Sequence, residues 1–190
     1  MELKVYEKEI LKNYKYIKKL KEIIPLKKAE IELKLWNTVK EKLKVFLDIE
    51  VYDFVKNSPE YLLQNHVDIL SFELENLKLY YKKPLYLGIG RYFNKKGIYF
   101  FISDDFLNNK DKKYVSLLNT LKDNDNLKEW HSNNKNLYID FSKNIDFGNL
   151  FNSEYDDFYN LLEEEKFNKI VDTIVELFCK EYKKLNTLKL

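Results

Sequence analysis

Residues 84–103 read PLYLGIGRYFNKKGIYFFIS, two runs rich in β-branched and aromatic side chains separated by Asn94-Lys95-Lys96-Gly97. Such side chains favour the pleated, half-buried surface of a sheet, and a glycine closing the connection supplies the positive φ that a bulged hairpin loop requires. The stretch predicts a β-hairpin. Strand side chains alternate between two faces, which places Tyr86, Gly88, Gly90 and Tyr92 on one and Leu85, Leu87, Ile89 and Arg91 on the other.

Outward from the hairpin, 67–72 and 77–81 are further short β-rich runs, so that together with 85–90 and 97–103 they form an antiparallel meander. A later strand is expected at 137–141. Ser58-Pro59-Glu60 supplies an N-cap, a first-turn proline and an early acid, which predicts a short helix reaching about Asn65. A second short helix is expected over 114–121. Phe167, Ile170, Ile174, Leu177, Phe178 and Leu185 give a closing helix its apolar stripe.

At the other end, Leu3, Tyr6, Ile10, Ile17, Leu20 and Ile24 recur at alternating three- and four-residue steps, with Asn13 at the one polar place in the seam. Pro25 is expected to end this helix. Ala29, Leu33, Trp36, Val39, Leu43 and Phe46 then mark a second helix able to fold back along the first. The expected fold is α+β: an N-terminal helical hairpin over 1–47, then a body over 48–190 with a central antiparallel β-meander and a C-terminal helix, the two forming one continuous domain. The N-terminal seam is expected to be buried within the monomer, with a homodimer as the alternative.

The chain has 190 residues, of which 16% are aromatic, and this is enough to enclose a core despite 34% charged residues. Arg91 is the one arginine and Ala29 the one alanine, whereas Lys, Asn, Ile and Tyr abound, a bias expected of an AT-rich genome. The net charge of +2 is unevenly spread: residues 1–47 carry 13 lysines against 7 acids. Residues 78–96 hold five lysines and Arg91 with no acid, and 153–165 hold six acids with no base. Opposed patches of this kind steer charged partners or pair with each other. The single cysteine, Cys179, excludes an internal disulfide and a Cys-rich zinc site. No apolar run approaches a membrane span of about 18 residues, so a cytoplasmic protein is expected.

Catalytic signals are weak. Gly88-Ile89-Gly90 has two glycines of a dinucleotide fingerprint, but the third is missing and a strand continues where a helix should open. Close packing over one sheet face explains the pair better. His66 and His131 lie far apart and neither belongs to a spaced ligand pair, while Cys179 falls beside a buried stripe, where a thiol is normally inert. A Mg²⁺-dependent nuclease needs an acid on one strand and acid-x-Lys on the next. Glu32-Leu33-Lys34 has the local spacing but falls on a helix, and Asp68, Glu73 and Glu75 lack a matching lysine. No catalytic residue, metal ligand or cofactor is therefore assigned.

The order of a Leu-Trp helix (ELKLWNTVKEKL), a strand block, the Tyr-Leu-Gly-Ile-Gly hairpin, Trp130 before a strand ending at Phe141, and a final FNKIVDTIVELF helix resembles the C-terminal region of certain bacterial and phage PD-(D/E)XK-superfamily proteins. The resemblance covers about residues 28–186. It implies an accessory module detached from the nuclease core, which lies upstream in that family, and it carries no catalytic residue over. A role in phage and host conflict is the associated expectation.

The expected function is that of a non-enzymatic binding protein docking on a protein or nucleoprotein partner, such as an anti-CRISPR-like inhibitor of antiviral defence. The alternative is a nucleic-acid-binding module on the hairpin, where Lys82, Lys83, Lys95 and Lys96 neutralise phosphates and Tyr86, Arg91 and Tyr92 stack on bases. The same seven residues are the candidate contacts for a protein partner. A cryptic Mg²⁺ nuclease is the third possibility.

Overall fold

The computed structural model describes residues 5–48, 51–53, 59–64, 66–74, 77, 84–92, 97–104, 112–132, 137–141, 150 and 156–188. Two helices open it: α1 (Val5–Lys12) and α2 (Tyr14–Leu47). Strands β1 (Val51–Asp53), β2 (His66–Glu73), β3 (Leu85–Tyr92) and β4 (Ile98–Asp104) follow, with a 3-10 turn over Pro59–Leu63. After α3 (Lys112–Lys122) come β5 (His131–Ser132), β6 (Leu137–Asp140) and α4 (Glu164–Asn186). The architecture is α+β, as the sequence predicts.

The sheet runs β1-β2-β3-β4-β6-β5, with every neighbouring pair antiparallel. Strands β1 to β4 form the meander. Gly97 stands at φ 105°, the left-handed geometry expected of the hairpin's closing residue. Residues 93–96 of that turn lie outside the described residues, as does the expected strand over 77–81 apart from Leu77, which is buried. Between β2 and β3 the register slips at Ile69: Asp68 pairs with Gly90, but Leu70 pairs with Ile89. The bulge lets Ile69 and Leu70 both be buried and resets which face each later residue of β2 occupies.

Helices α2 and α4 cover one face of the sheet. Phe178 of α4 meets Phe72 and Phe100 at ring-centroid distances of 5.0 and 5.2 Å, and the Tyr182 hydroxyl donates to the Glu73 carbonyl at 3.0 Å. The stripe Phe167, Ile170, Ile174, Phe178 and Leu185 is buried, as its helical spacing demands. The two helices pack on each other, with Lys34 of α2 over the Phe167 ring at 4.9 Å and Lys42 paired with Asp172 at 2.6 Å. Trp130, just before β5, donates its indole N–H to Glu181 of α4 at 2.9 Å.

The N-terminal hairpin is corrected by the structure. Pro25 lies inside α2, which continues without a turn to Leu47. A proline there removes one backbone donor and crowds the preceding turn, at about 3 kcal/mol. A reversal would need a loop, however, and the flanking IIPLKKAEIELKL contains no Gly, Asn, Asp or Ser to form one, while its residues are mostly good helix formers. The surrounding stretch is exposed, so water can satisfy the carbonyl that Pro25 leaves without a donor. The helix ends at Asp48, which adopts φ 52° and donates its backbone N–H to the Lys44 carbonyl at 2.9 Å. Ala29, Leu35, Trp36, Val39 and Leu43 share one core with the sheet, so α2 belongs to the body from about Ala29 onward.

Candidate interaction surface

Of the seven predicted contact residues, the structure describes the side chains of Tyr86 and Arg91. Lys82, Lys83, Lys95 and Lys96 lie outside the described residues, as does the side chain of Tyr92. Tyr86 is half-buried in a row with Glu73 and Ser103 across β2, β3 and β4.

Arg91 is the clear correction. It is 0% exposed and points into the core from the same face of β3 as Leu85, Leu87 and Ile89. Its Nε donates to Glu32 Oε1 at 2.5 Å and its Nη1 to the Gln64 carbonyl at 3.1 Å, while Nη2 donates to the Leu62 carbonyl. The Trp36 indole N–H donates to the same Glu32 oxygen at 2.9 Å. Alternation explains this: a residue one step from Tyr92 cannot share its face, and a guanidinium carries enough donors to satisfy several buried acceptors at once. Burial pushes the Glu32 carboxyl above its ordinary value of 4.5, against the pull of the Arg91 charge and of the Trp36 and Arg91 hydrogen bonds. The cluster fastens α2 to β3 and to the 3-10 turn, so its role is structural.

The opposite face of the sheet explains the two strand glycines. A Cβ on Gly88 would overlap the Phe101 ring, and one on Gly90 would overlap the ring and hydroxyl of Tyr99. The Tyr99 hydroxyl then reaches Asp68 Oδ1 at 3.0 Å. Close packing, rather than nucleotide binding, accounts for Gly-Ile-Gly. The remaining candidates are scattered: the exposed His131 lies 5.9 Å from the Tyr138 ring centroid, and burial raises the pKa of the half-buried Cys179 against the lowering effect of Lys183. Among the described residues no three His, Cys, Asp or Glu side chains converge on a metal position, and no helix is long and apolar enough to cross a membrane.

What the described surface does offer is the N-terminal helical arm, residues 5–26. No residue in it is buried. Of its seam, Ile10, Leu20 and Ile24 are 51%, 53% and 47% exposed, and Tyr6 is exposed beside them. At Asn13 the backbone leaves helical geometry at φ −98° and ψ 7°, but its N–H and side-chain amide both donate to the Glu9 carbonyl at 3.0 Å and Ile17 N–H donates to the Asn13 carbonyl at 3.0 Å, so helical bonding runs through it. Each apolar side chain of this size is worth about 1.5–3 kcal/mol when removed from water, and an amphipathic helix of this length without tertiary packing is marginal alone. Its three-four spacing is the one that helix-in-groove recognition uses. Its signal was present in the sequence as the three-four seam; what the sequence hid was that, among the described residues, no second helix folds back to cover it.

No protein-family model matches this chain, no curated protein matches its sequence, and no solved structure matches its fold.

Proposed function

We propose that this chain is a binding protein that docks on a protein partner through its N-terminal helical arm, with the α+β body as a rigid base. The supporting observation is the exposed apolar seam of residues 5–26 on a helix whose continuation is anchored in the core from Ala29. Helix-in-groove and helix-on-helix recognition both use side chains at such three-four spacing. An inhibitor of a defence complex needs no more than a complementary surface of this kind, so the role implied by the family resemblance is one instance of the same reading.

The test compares the intact protein with an Ile10→Lys, Leu20→Glu variant. Proteins retained by each from a lysate of the source cells are identified, purified and titrated against both. Because both positions are exposed, the body keeps its fold, which near-UV circular dichroism checks. The expected result is a purified partner whose affinity falls at least about tenfold in the variant. Equal binding to both proteins overturns the arm as docking element. Retention of labelled DNA or RNA, with a steep loss of binding as salt rises and no effect of the variant, would replace it with the nucleic-acid reading.

A further inference from the structure

Resting on the docking reading of the arm, we infer that its occupant is a second copy of this chain, paired with it as an antiparallel two-helix coiled coil. Tyr6, Ile10, Asn13, Ile17, Leu20 and Ile24 fall on alternating heptad positions, with isoleucine at each of 10, 17 and 24 and the d positions at 6, 13 and 20. Among the described residues no element packs over this seam closely enough to bury it: Ile17 is half-buried and the others are exposed. At 1.5 Å per residue the arm is about 33 Å long, three heptads of contact.

Orientation follows from the flanking charges. Glu7 and Lys21 both occupy the position that follows a d residue. In an antiparallel pair those positions face each other, so Glu7 of each copy meets Lys21 of the other, twice per dimer. In a parallel pair Lys21 would meet Tyr16 and Glu9 would meet Tyr14, with no opposite charges opposed. The antiparallel register with its twofold axis near Lys15 also sets Tyr6 against Ile24, Ile10 against Leu20 and Asn13 against Ile17 of the partner copy. The seam from Tyr6 to Ile24 is then covered along its length. Asn13 tolerates this place because its amide already donates to the Glu9 carbonyl. The body begins beyond the end of the arm, so the antiparallel pairing sets the two bodies at opposite ends of the coiled coil, whereas a parallel one would crowd them together.

Sedimentation equilibrium of the full chain over a concentration series tests the proposal. The wild type is expected to approach twice its 23.1 kDa mass. Glu7→Lys and Lys21→Glu should each weaken dimerisation about fivefold, and the two together in one chain should restore it, since the opposed charges are merely exchanged. Ile17→Lys should leave a folded monomer. A wild type that remains monomeric at all concentrations overturns the proposal, as does a dimer that the charge exchange fails to restore. A monomer whose purified partner still depends on Ile10 and Leu20 would refute self-pairing while leaving the docking reading intact; a dimer with no such partner would do the reverse for a foreign partner.

Discussion

Arg91 Nε lies 2.5 Å from Glu32 Oε1, joining a strand to a helix across 59 positions of sequence, and both side chains are buried. Removing two charges from water carries a penalty of several kcal/mol per ion, so such a pair is worth little in itself but is expensive to break. Replacing Arg91 by Met is expected to destabilise the fold by about 3–5 kcal/mol, because it leaves the Glu32 carboxylate buried beside the Trp36 indole without its counter-charge. Urea unfolding midpoints check this. The double replacement Arg91→Met, Glu32→Leu should recover much of the loss, and a simple sum of the two single effects would contradict the pairing.

The same carboxyl sets a pH dependence. Its folded pKa is raised by burial, so the stability associated with Glu32 is fully present below its unfolded value and is lost as pH rises through the folded one. Wild type minus Glu32→Gln, measured by urea unfolding from below pH 4.5 to neutrality, should therefore be most favourable to the wild type at the acid end. A difference that grows with pH would mean that Arg91 outweighs desolvation.

Gly90→Ala is expected to cost about 1–3 kcal/mol through overlap with the Tyr99 ring, as overpacking of a filled site does. In a Tyr99→Ala background the added methyl should be nearly neutral. Thermal unfolding of the four proteins gives the cycle, and an unchanged cost without Tyr99 would point to the backbone instead.

Pro25→Ala restores the backbone N–H that faces the Lys21 carbonyl. Amide hydrogen exchange in the arm should slow, in keeping with the roughly 3 kcal/mol that a proline costs within a helix, while the unfolding midpoint of the body stays within about 0.5 kcal/mol. Faster exchange would mean that the proline orders the arm.

Much of the fold is legible in the sequence because it rests on local periodicity. The alternation in 85–92 and 98–104, the turn at Gly97 and the stripe from Phe167 to Leu185 each follow from side-chain spacing and φ preference. Long-range pairing is less legible: nothing local says that β6 returns beside β4, or that Ile69 bulges. Pro25 misleads because its local penalty is real but smaller than what separates a core-anchored helix from a hairpin without turn residues. Arg91 misleads for a different reason. Its lysine-rich neighbourhood argues for a surface, yet the strict two-residue period of the strand had already assigned it to the apolar face.

The division of α2 at Ala29 has an evolutionary consequence. Substitutions beyond it meet the stability threshold that constrains any packed core, whereas those at residues 5–26 remove no buried contact and largely escape it. The surface of the arm can thus change, heptad by heptad, while the packing of the body stays intact.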